Sequence, residues 1–300
     1  MNFLITGGTG FIGNQTVDFF SNQGHKITIL VHKNKAIINK SNITVINNLS
    51  EIAAGFPIDI IINLAGTPIS KKWTKSYKVE LINSRINTTK NLINVISKLK
   101  NKPKLLISAS AIGYYGSHND NHPLTEDAKF HDGFTHQLCK AWENEAKEAN
   151  KYGVRTCIAR FGIVLGKNGG ALEKMLLPFK LGLGGKIASG KQIFSWVHLE
   201  DVIRVFDFFI TNKNTKGIYN VTAPAPVTNE EFTKALGKTL NRFTILGMPA
   251  FIIKILFGEM GEELLLKGQY VVPQRLIDAG FKFYYNNIDQ ALTMLINDRK

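Results

Sequence analysis

Glycines near the start of the chain have the spacing of a phosphate-binding turn. Gly8, Gly10 and Gly13 fit the pattern G-x-G-x-x-G and follow four apolar or β-branched residues, Phe3 to Thr6. Glycines in this pattern permit a tight turn, a close backbone approach to a pyrophosphate and tight helix–strand packing. The helix that follows offers unpaired N–H groups and a positive dipole end to a diphosphate. The segment therefore predicts dinucleotide binding. The predicted contact residues are Gly7, Gly8, Thr9, Gly10, Phe11, Ile12 and Gly13.

The end of the second predicted strand indicates which dinucleotide is bound. In folds of this type an acidic residue at this place bonds to the ribose 2′-hydroxyl of NAD. Here Val31 is followed by His32 and Lys33, with no carboxylate. Basic residues favour the 2′-phosphate of NADP, although two solvated surface residues would give the same sequence. We therefore predict NADP as the cofactor, ahead of NAD.

Strands and helices alternate along the first half of the chain and must position this turn. Short apolar segments at 3–6, 25–31, 43–46, 58–64, 104–108 and 155–161 predict strands, and amphipathic segments between them predict helices. This order is typical of a parallel sheet with right-handed crossovers. The predicted fold class is α/β, a Rossmann-type doubly wound parallel sheet with a smaller, mainly C-terminal substrate lobe.

Domain boundaries follow from where this regularity ends. We expect a dinucleotide-binding domain at residues 1–165, to which a strand and a helix at about 194–222 return. Glycine-rich residues 166–193 and residues 223–300, whose start is marked by the Pro224 and Pro226 pair, are expected to form the smaller lobe. A lobe over the strand ends would leave a cleft beside the cofactor.

The chain is strongly basic, with 37 Lys and Arg residues against 23 Asp and Glu residues and a formal net charge of +14. The basic residues fall mostly in predicted loops and helix ends, without the interleaved aromatic residues or motif of a nucleic-acid-binding protein. We therefore expect no nucleic-acid partner. A positive surface would still concentrate an anionic cofactor or substrate.

The apolar and sulfur-containing residues predict the compartment. No apolar run has the length of a membrane span, and the N-terminal residues begin a strand rather than a signal peptide. The two cysteines, Cys139 and Cys157, lack metal-ligand spacing and suit a reducing environment. We expect a cytoplasmic protein without a membrane partner or a metal site.

Several further motifs resemble one superfamily, the extended short-chain dehydrogenases/reductases. More closely, the whole chain resembles the atypical bacterial NAD(P)-dependent epimerase/dehydratase-like family, which ends in a domain of unknown function. The motifs that carry the resemblance are the glycine turn, Asn63–Gly66, Ser108–Ser110, Leu138–Glu143, Ser195–His198 and Val272–Leu276. The resemblance implies an oxidoreductase or epimerase acting on a nucleotide sugar or a similar polar alcohol or carbonyl compound. It also makes a homodimer possible through two helices that flank the sheet.

The catalytic residues implied by the resemblance are a Tyr-x-x-x-Lys pair and a serine. Ser110 fits the serine, although a strand-end serine that bonds to backbone is equally consistent. The tyrosine is missing. One register gives His136 and Lys140, which keeps the lysine and offers an imidazole as the acid–base group. The other register, anchored on Glu143, gives Thr135 and Cys139 and loses both groups.

The resemblance also implies further contacts. Leu64, Ala65 and Gly66 after the fourth strand, Arg85 and Lys140 are expected to touch the cofactor, and Arg85 stands where the superfamily generally has asparagine. The residues expected to face the substrate are Trp73, Tyr115, Trp196 and Arg275.

Three functions remain open from the sequence. The first is an NADP(H)-dependent epimerase or oxidoreductase whose catalytic residues are Ser110, His136 and Lys140. The second is a regulatory or redox-sensing protein that binds the cofactor but has weak or no turnover, because the tyrosine is absent. The third, a scaffold or nucleic-acid partner, has only the positive charge in its favour.

Overall fold

A seven-stranded parallel sheet forms the centre of the computed structural model, which describes residues 1–31, 40–118 and 122–297. The strands of this sheet are β1 (Asn2–Thr6), β2 (Lys26–Leu30), β3 (Ile43–Ile46), β4 (Ile60–Asn63), β5 (Leu105–Ala111), β6 (Arg155–Phe161) and, later in the chain, β10 (Gly217–Val221). Two small two-stranded sheets contain β7 (Ile163–Leu165) with β9 (Trp196–His198), and β8 (Ile193–Phe194) with β11 (Val227–Thr228).

Helices connect these strands and extend beyond them. They are α1 (Phe11–Asn22), α2 (Lys75–Lys98), α3 (Phe134–Lys147), α4 (Gly170–Lys180), α5 (Leu199–Thr211), α6 (Asn229–Leu240), α7 (Ala250–Leu264), α8 (Gln274–Asp278) and α9 (Ile288–Asn297). Short 3-10 helices cover Leu49–Glu51, Ile112–Tyr115 and Glu148–Tyr152. No helix of the described residues is both long enough and apolar enough to cross a membrane.

The strand order of the sheet is β3-β2-β1-β4-β5-β6-β10, so the winding direction reverses between β1 and β4. Ligands of doubly wound sheets bind at such a switch point, outside the carboxyl ends of the strands. Leu4 pairs with Ile61 across the reversal, and the segments after both strands leave the sheet side by side. The sheet therefore places the glycine turn at its predicted ligand-binding edge.

Both faces of the sheet are buried, which explains the nearly continuous apolar strands. Phe3 and Ile5 of β1 contribute to a cluster with side chains of α1 and α5, whereas Leu4 contributes to the opposite cluster with Leu92 and Ile96 of α2. The predicted α/β fold class, with a doubly wound parallel sheet and a smaller C-terminal part, is confirmed.

The C-terminal helices have a separate apolar cluster and a second contact with the sheet domain. Trp196, Phe232 and Leu292 lie in the cluster that joins α4, α6 and α9. Met260 of α7 instead packs with Leu138 of α3 and with aromatic side chains of or near α2. This second contact brings α7 over the start of α3, and it matters for the site.

Two predicted boundaries differ from the structure in ways that affect the site. β5 continues to Ala111, beyond the predicted end at Ser108, so Ser110 lies within the strand. The predicted helix from Phe134 to Tyr152 divides at Lys147, where the backbone tightens into a 3-10 helix before Gly153. Gly153 has φ +76°, a conformation that glycine adopts at low cost and that ends the helix.

Candidate functional site

The glycine turn joins β1 to α1 and leaves no room for side chains. Gly7 has φ +68°, and a Cβ on it would lie 2.6 Å from the Leu64 carbonyl oxygen. A Cβ on Gly13 would lie 2.0 Å from the Gly7 carbonyl oxygen, and one on Gly8 would lie 2.6 Å from Ile29. The glycines therefore permit the turn to close on itself and to pack on the neighbouring strands. The N-cap residue of α1 is Gly10, and no side chain caps this helix end, so no capping side chain takes up its first N–H groups.

The segment after β4 forms the other side of the same edge. Leu64 and Ala65 lie against Gly7, and the Ala65 N–H is 3.3 Å from the Thr6 hydroxyl oxygen that accepts from it. Next to them, the Arg85 guanidinium lies so close to Gly66 that a Cβ there would be 2.9 Å from its Cζ atom. The predicted cofactor residues of the two segments are thus brought together.

Arg85 is a largely buried cation. Its guanidinium donates to the Thr67 and Leu81 carbonyl oxygens at 3.0 and 3.2 Å and lies over the Trp142 ring. Burial lowers its pKa from the usual value, and no ion pair joins it to a carboxylate within the part of the chain that the structure describes. A guanidinium held by carbonyl oxygens and a hydroxyl, without a carboxylate, keeps its charge available to an anion.

The residues on which the cofactor preference rests cannot be placed. His32 and Lys33 lie outside the described residues, so the preference for NADP over NAD stays a prediction from the sequence.

Ser110 and Cys139 meet where β5 packs against α3. Ser110 and the backbone of Ala111 lie near enough to the Cys139 thiol to act on its pKa, which both lower against the larger effect of burial. A Cβ on Gly113, two residues further, would lie 3.1 Å from the Cβ of Thr135 and 3.8 Å from the Cys139 sulfur. Thr135 and Cys139 therefore form the face of α3 that covers the end of β5, the arrangement given by the register anchored on Glu143.

The alternative register places its two residues elsewhere. Lys140 is exposed, with its ammonium group 5.4 Å from the centre of the Phe130 ring. His136 is buried between Phe130 and Tyr114, where Nδ1 lies 2.5 Å from the Tyr114 carbonyl oxygen. Since a carbonyl can only accept, Nδ1 donates in this hydrogen bond. Nε2 has no hydrogen-bond partner among the described residues. Neither side chain joins the group of Ser110, Thr135 and Cys139.

Cys139 cannot supply the charge that a lysine would bring. Burial, helped by the negative charge of Glu143, raises the pKa of the Cys139 thiol to about 11. Burial also raises the pKa of Cys157 to about 11. Both groups are therefore neutral thiols at physiological pH, and neither has the thiolate character of a reactive cysteine.

A buried row of polar side chains crosses three strands beneath α3. Ser110 of β5, Arg160 of β6 and Asn220 of β10 are paired in register, so their side chains share one face of the sheet. The Arg160 guanidinium donates to the two Glu143 carboxylate oxygens at 2.7 and 2.8 Å, and the Ser110 hydroxyl donates to the first of them at 2.8 Å. The Tyr115 hydroxyl accepts from Arg160 and donates to Asn220. Every member of the row is satisfied, which fixes Ser110 in one orientation.

A polar cavity of about 270 Å³ lies where α3 begins and α7 ends. Its lining comes from the segment after β5, from the start of α3 and from the end of α7. The lining residues are Gly116, Ser117, His131, Asp132, Gly133, Thr135, Glu263 and Lys267. The Thr135 hydroxyl donates to the Glu263 carboxylate at 3.1 Å across this cavity. Thr135 is therefore the group shared by the cavity and the covered end of β5.

The two tryptophans predicted to face the substrate are packing residues. Trp73 donates through its indole N–H to the Ile69 carbonyl oxygen and packs on Phe134. Trp196 is completely buried, and its indole N–H donates to the Ala225 carbonyl oxygen. A stacking face for a substrate must be accessible, and neither indole lines the cavity.

The other two predicted substrate contacts also have partners within the protein. Tyr115 is completely buried, and desolvation raises the pKa of its hydroxyl to about 12. Arg275 donates to the Asp127 carboxylate at 2.6 Å and to the Ile218 carbonyl oxygen at the outer edge of the sheet. An aromatic ring and a guanidinium are typical of substrate recognition. The structure instead places Tyr115 in the core and Arg275 at the joint between α8 and the sheet.

Some residues of the site had little or no sequence signal. Arg160 stands in the apolar part of β6, between Ala159 and Phe161, and a charge in such a place indicates a buried carboxylate partner. Glu143 was visible as the residue that anchors the second register. Glu263 had no signal, because nothing in its surrounding helix distinguishes it from Glu259 and Glu262.

Comparison with known proteins identifies the family. The chain matches the model of the NAD-dependent epimerase/dehydratase family over residues 3–222 and that of a domain of unknown function, DUF1731, over residues 248–295. It therefore belongs to the NAD-dependent epimerase/dehydratase family, and the predicted resemblance is confirmed. Epimerase family protein YfhF of Bacillus subtilis is 39% identical over 304 residues, which cover 100% of this chain and 99% of the relative.

Solved structures agree with this assignment. The human epimerase family protein SDR39U1, whose crystal structure contains NADPH, is 31% identical and superimposes with a TM-score of 0.90 over 99% of this chain and 100% of that one. A UDP-glucose 4-epimerase from Thermotoga maritima, solved with UDP-glucose, has a TM-score of 0.78 over 99% and 98% of the two chains. At 17% identity, the second likeness shows the fold alone.

Proposed function

We propose that this chain is an NADP(H)-binding oxidoreductase of the epimerase family, acting on a nucleotide sugar or a similar polar alcohol or carbonyl compound. The observation that carries the proposal is the glycine turn at the switch point of the sheet, where a Cβ on Gly13 would lie 2.0 Å from the Gly7 carbonyl oxygen. A backbone built this closely is suited to a diphosphate at the N-terminus of α1. The NADPH in the human relative supports the same cofactor.

In this proposal, different segments of the chain contact different parts of the cofactor. The backbone of Gly7–Gly13 holds the diphosphate, and Leu64, Ala65 and Gly66 form the opposite wall. Arg85 supplies a positive charge beside that wall, because its guanidinium is held only by carbonyl oxygens and a hydroxyl. When bound, the nicotinamide supplies hydride chemistry. His32 and Lys33 remain the proposed reason for a preference for NADP.

The proton chemistry is assigned to the group at the end of β5. Ser110 is nearly fully buried and gives its proton to Glu143, so its proposed role is to orient Cys139 and the start of the following turn. Thr135 is the polar side chain of this group that reaches the cavity. His136 and Lys140, the other candidates from the sequence, are proposed to support α3 from its outer side.

A binding titration with a matched glycine variant tests the proposal. We expect NADPH to bind the purified chain, with tighter binding than NADH, when nicotinamide fluorescence is followed. Gly13→Ala should abolish binding, because its Cβ meets backbone at 2.0 Å. Gly55→Ala is the control, because a Cβ there meets nothing within 4 Å. Thermal unfolding of both variants shows whether they fold. Binding of neither nucleotide below millimolar concentration would overturn the proposal, and tighter binding of NADH would overturn the preference for NADP.

A second function, cofactor binding for regulation without turnover, has one observation in its favour. The face of α3 over β5 carries Thr135 and Cys139, and neither side chain titrates near neutral pH as a catalytic tyrosine beside a lysine would. NADPH binding combined with no reduction or oxidation of any compound in a panel of nucleotide sugars and simple carbonyls would favour this second function.

A further inference from the structure

Glu263 comes from the segment that matches the domain of unknown function, yet it lies against the catalytic helix of the sheet domain. It is the penultimate residue of α7, whose contact with α2 and α3 is anchored by Met260 and Leu138. α7 is kinked at Gly258, which has φ +58°. The helix segment after the kink carries the Glu263 side chain to the start of α3.

Both carboxylate oxygens of Glu263 face the first turn of α3. Oε2 accepts the Thr135 hydroxyl proton at 3.1 Å, and Oε1 would lie 3.7 Å from a Cβ built on Gly133. Gly133 is the N-cap residue of α3 and brings no side chain to cap the helix. A carboxylate accepts hydrogen bonds through both of its oxygens. Glu263 is therefore placed as a proton acceptor.

Thr135 connects this carboxylate to the end of β5. Its Cβ is packed against Gly113, in the turn that follows Ser110, while its hydroxyl reaches the cavity and Glu263. The hydroxyl gives its proton to Glu263, so its oxygen lone pairs remain able to accept a hydrogen bond from a ligand hydroxyl in the cavity. The two side chains thus form a path for one proton.

The other titratable groups around the cavity are less well placed to accept this proton. Asp132 is exposed and accepts from the Gln137 side chain at 3.2 and 3.3 Å. His131 is also exposed, and its Nδ1 lies 2.8 Å from the Ser117 carbonyl oxygen. Lys267 is also on the lining, and its ammonium group donates hydrogen bonds and does not accept them.

We propose that Glu263 and Thr135 replace the missing tyrosine as the proton-transfer pair, and that the C-terminal segment thereby supplies part of the active site. The proposal rests on the proposed function. In alcohol oxidation the substrate O–H bond breaks and its proton passes to the Thr135 oxygen, as the Thr135 proton passes to Glu263. The substrate C–H bond breaks with its electron pair, which is transferred as hydride to the nicotinamide of NADP⁺. The products are a carbonyl compound, NADPH and a protonated Glu263 that returns its proton to solvent.

The substrate class follows from the lining. The cavity offers a hydroxyl, carboxylates and an ammonium group but no aromatic face other than the imidazole of His131. Such a lining suits a hydroxylated ring that can both donate and accept hydrogen bonds, and we assign the secondary alcohol of a sugar to it.

Two sets of matched variants test the proton-transfer pair, one at neighbouring glutamates of α7 and one at the Thr135 side chain. Glu263→Gln and Thr135→Val remove the acceptor and the hydroxyl with little change of shape. Glu262→Gln is the control for the first, because Glu262 pairs with Lys254 outside the cavity lining. Thr135→Ser is the control for the second, because it keeps the hydroxyl. The probes are UDP-glucose, UDP-galactose and UDP-N-acetylglucosamine with NADP⁺, and NADPH formation is followed across a pH series.

We expect Glu263→Gln and Thr135→Val each to lower kcat by roughly 10² to 10⁴-fold, the usual contribution of general acid–base catalysis. The kcat of the double variant should be no lower than that of the less active single variant. The fall in rate at low pH should disappear in Glu263→Gln. The control Glu262→Gln should stay within about threefold of the parent, a difference of about 0.7 kcal/mol. Thr135→Ser should retain more activity than Thr135→Val, because it keeps the hydroxyl. NADPH affinity should be unchanged in all four single variants.

A second measurement does not depend on turnover. In protein labelled with ¹³C at the glutamate side-chain carboxyl carbon, the resonance absent from Glu263→Gln belongs to Glu263. We expect it to shift when UDP-glucose is added to the NADP⁺-loaded protein, and not to shift in Thr135→Val.

The outcomes separate this inference from the proposed function. Failure of the parent to bind NADPH would overturn both. Two outcomes would overturn the proton-transfer pair and leave cofactor binding intact. In the first, NADPH binds and Glu263→Gln oxidises the sugar at the parental rate. In the second, NADPH binds, no sugar is oxidised and the Glu263 resonance does not respond.

Discussion

Replacing Glu143 by glutamine is expected to destabilise the protein strongly, because it leaves the Arg160 charge buried without its counter-charge. Both side chains are 1% exposed, and two short hydrogen bonds join them. Glutamine keeps the shape of Glu143 and one oxygen that accepts hydrogen bonds, but its amide nitrogen cannot accept, so the change removes the charge together with at least one hydrogen bond from Arg160. Arg160 cannot avoid the cost by losing its proton, because a guanidinium stays protonated in proteins.

The size of the effect follows from the burial of the pair. Removal of one partner of a buried ion pair costs about 3–5 kcal/mol in free energy of unfolding. At roughly 2 °C per kcal/mol for a chain of this size, the unfolding temperature should fall by about 6–10 °C. Arg160→Met should cost about as much, because it leaves the Glu143 carboxylate buried. The double variant removes both charges, so its loss should lie nearer to that of one single variant than to the sum.

Urea unfolding followed by circular dichroism measures the four free energies of this double-mutant cycle. The control is the same cycle on Glu148 and Lys151, a pair whose side chains are 42% and 68% exposed. An exposed pair of this kind contributes at most about 1 kcal/mol. If the losses at Glu143 and Arg160 add within about 0.5 kcal/mol, the two charges are not coupled and the reasoning from the buried row fails.

Two further predictions concern a histidine and an arginine. Burial lowers the pKa of His198 from 6.5 to about 4, so between these pH values the unfolded chain binds a proton that the folded chain does not. As the pH falls through this range the protein should lose up to about 3 kcal/mol of stability. His198→Asn should remove this part of the pH dependence of urea unfolding, and an unchanged slope would contradict the assignment. Arg85→Met should weaken NADPH binding about tenfold by loss of about 1.4 kcal/mol in a fluorescence titration. Arg155→Met is its control, because Arg155 also donates to carbonyl oxygens but lies at the start of β6, and equal weakening by both would refute the role of Arg85.

Periodicity and turn chemistry made most of the fold predictable. Strands buried on both faces are apolar throughout, and helices that cover them are apolar on one side, so the alternation of the two patterns specifies a doubly wound sheet. The glycine turn was predictable for a similar local reason. The backbone at Gly7 has a positive φ, and there is no room for a Cβ at Gly13. Both positions therefore favour glycine, which the sequence shows directly.

The site was less predictable, because its residues meet through packing between distant segments. One residue of helical register decides whether His136 and Lys140 or Thr135 and Cys139 cover β5, and a rotation of about 100° separates the two faces. The sequence left both faces open. Trp196 and Tyr115 show the same problem for single residues, since an aromatic side chain with a polar tip suits a ligand cleft and a hydrogen-bonded core equally well. Glu263 meets Thr135 over 128 positions of chain, which no local pattern reports.

In the two proposals, the cation and the proton-accepting carboxylate of this site come from helices around α3. A lysine on α3 would place a cation beside the end of β5, and the structure has the neutral thiol of Cys139 there instead. The charge of Arg85 on α2 acts on Cys139, and the Arg85 guanidinium lies beside Gly66 at the opposite wall. An acid–base group on α3 is likewise replaced by a carboxylate from α7 that bonds to Thr135. If both proposals hold, α3 keeps the geometry of the site while neighbouring helices supply its charges. Turnover would then require α7 to be docked, so a variant that weakens the packing of Met260 should lose turnover before it loses NADPH binding.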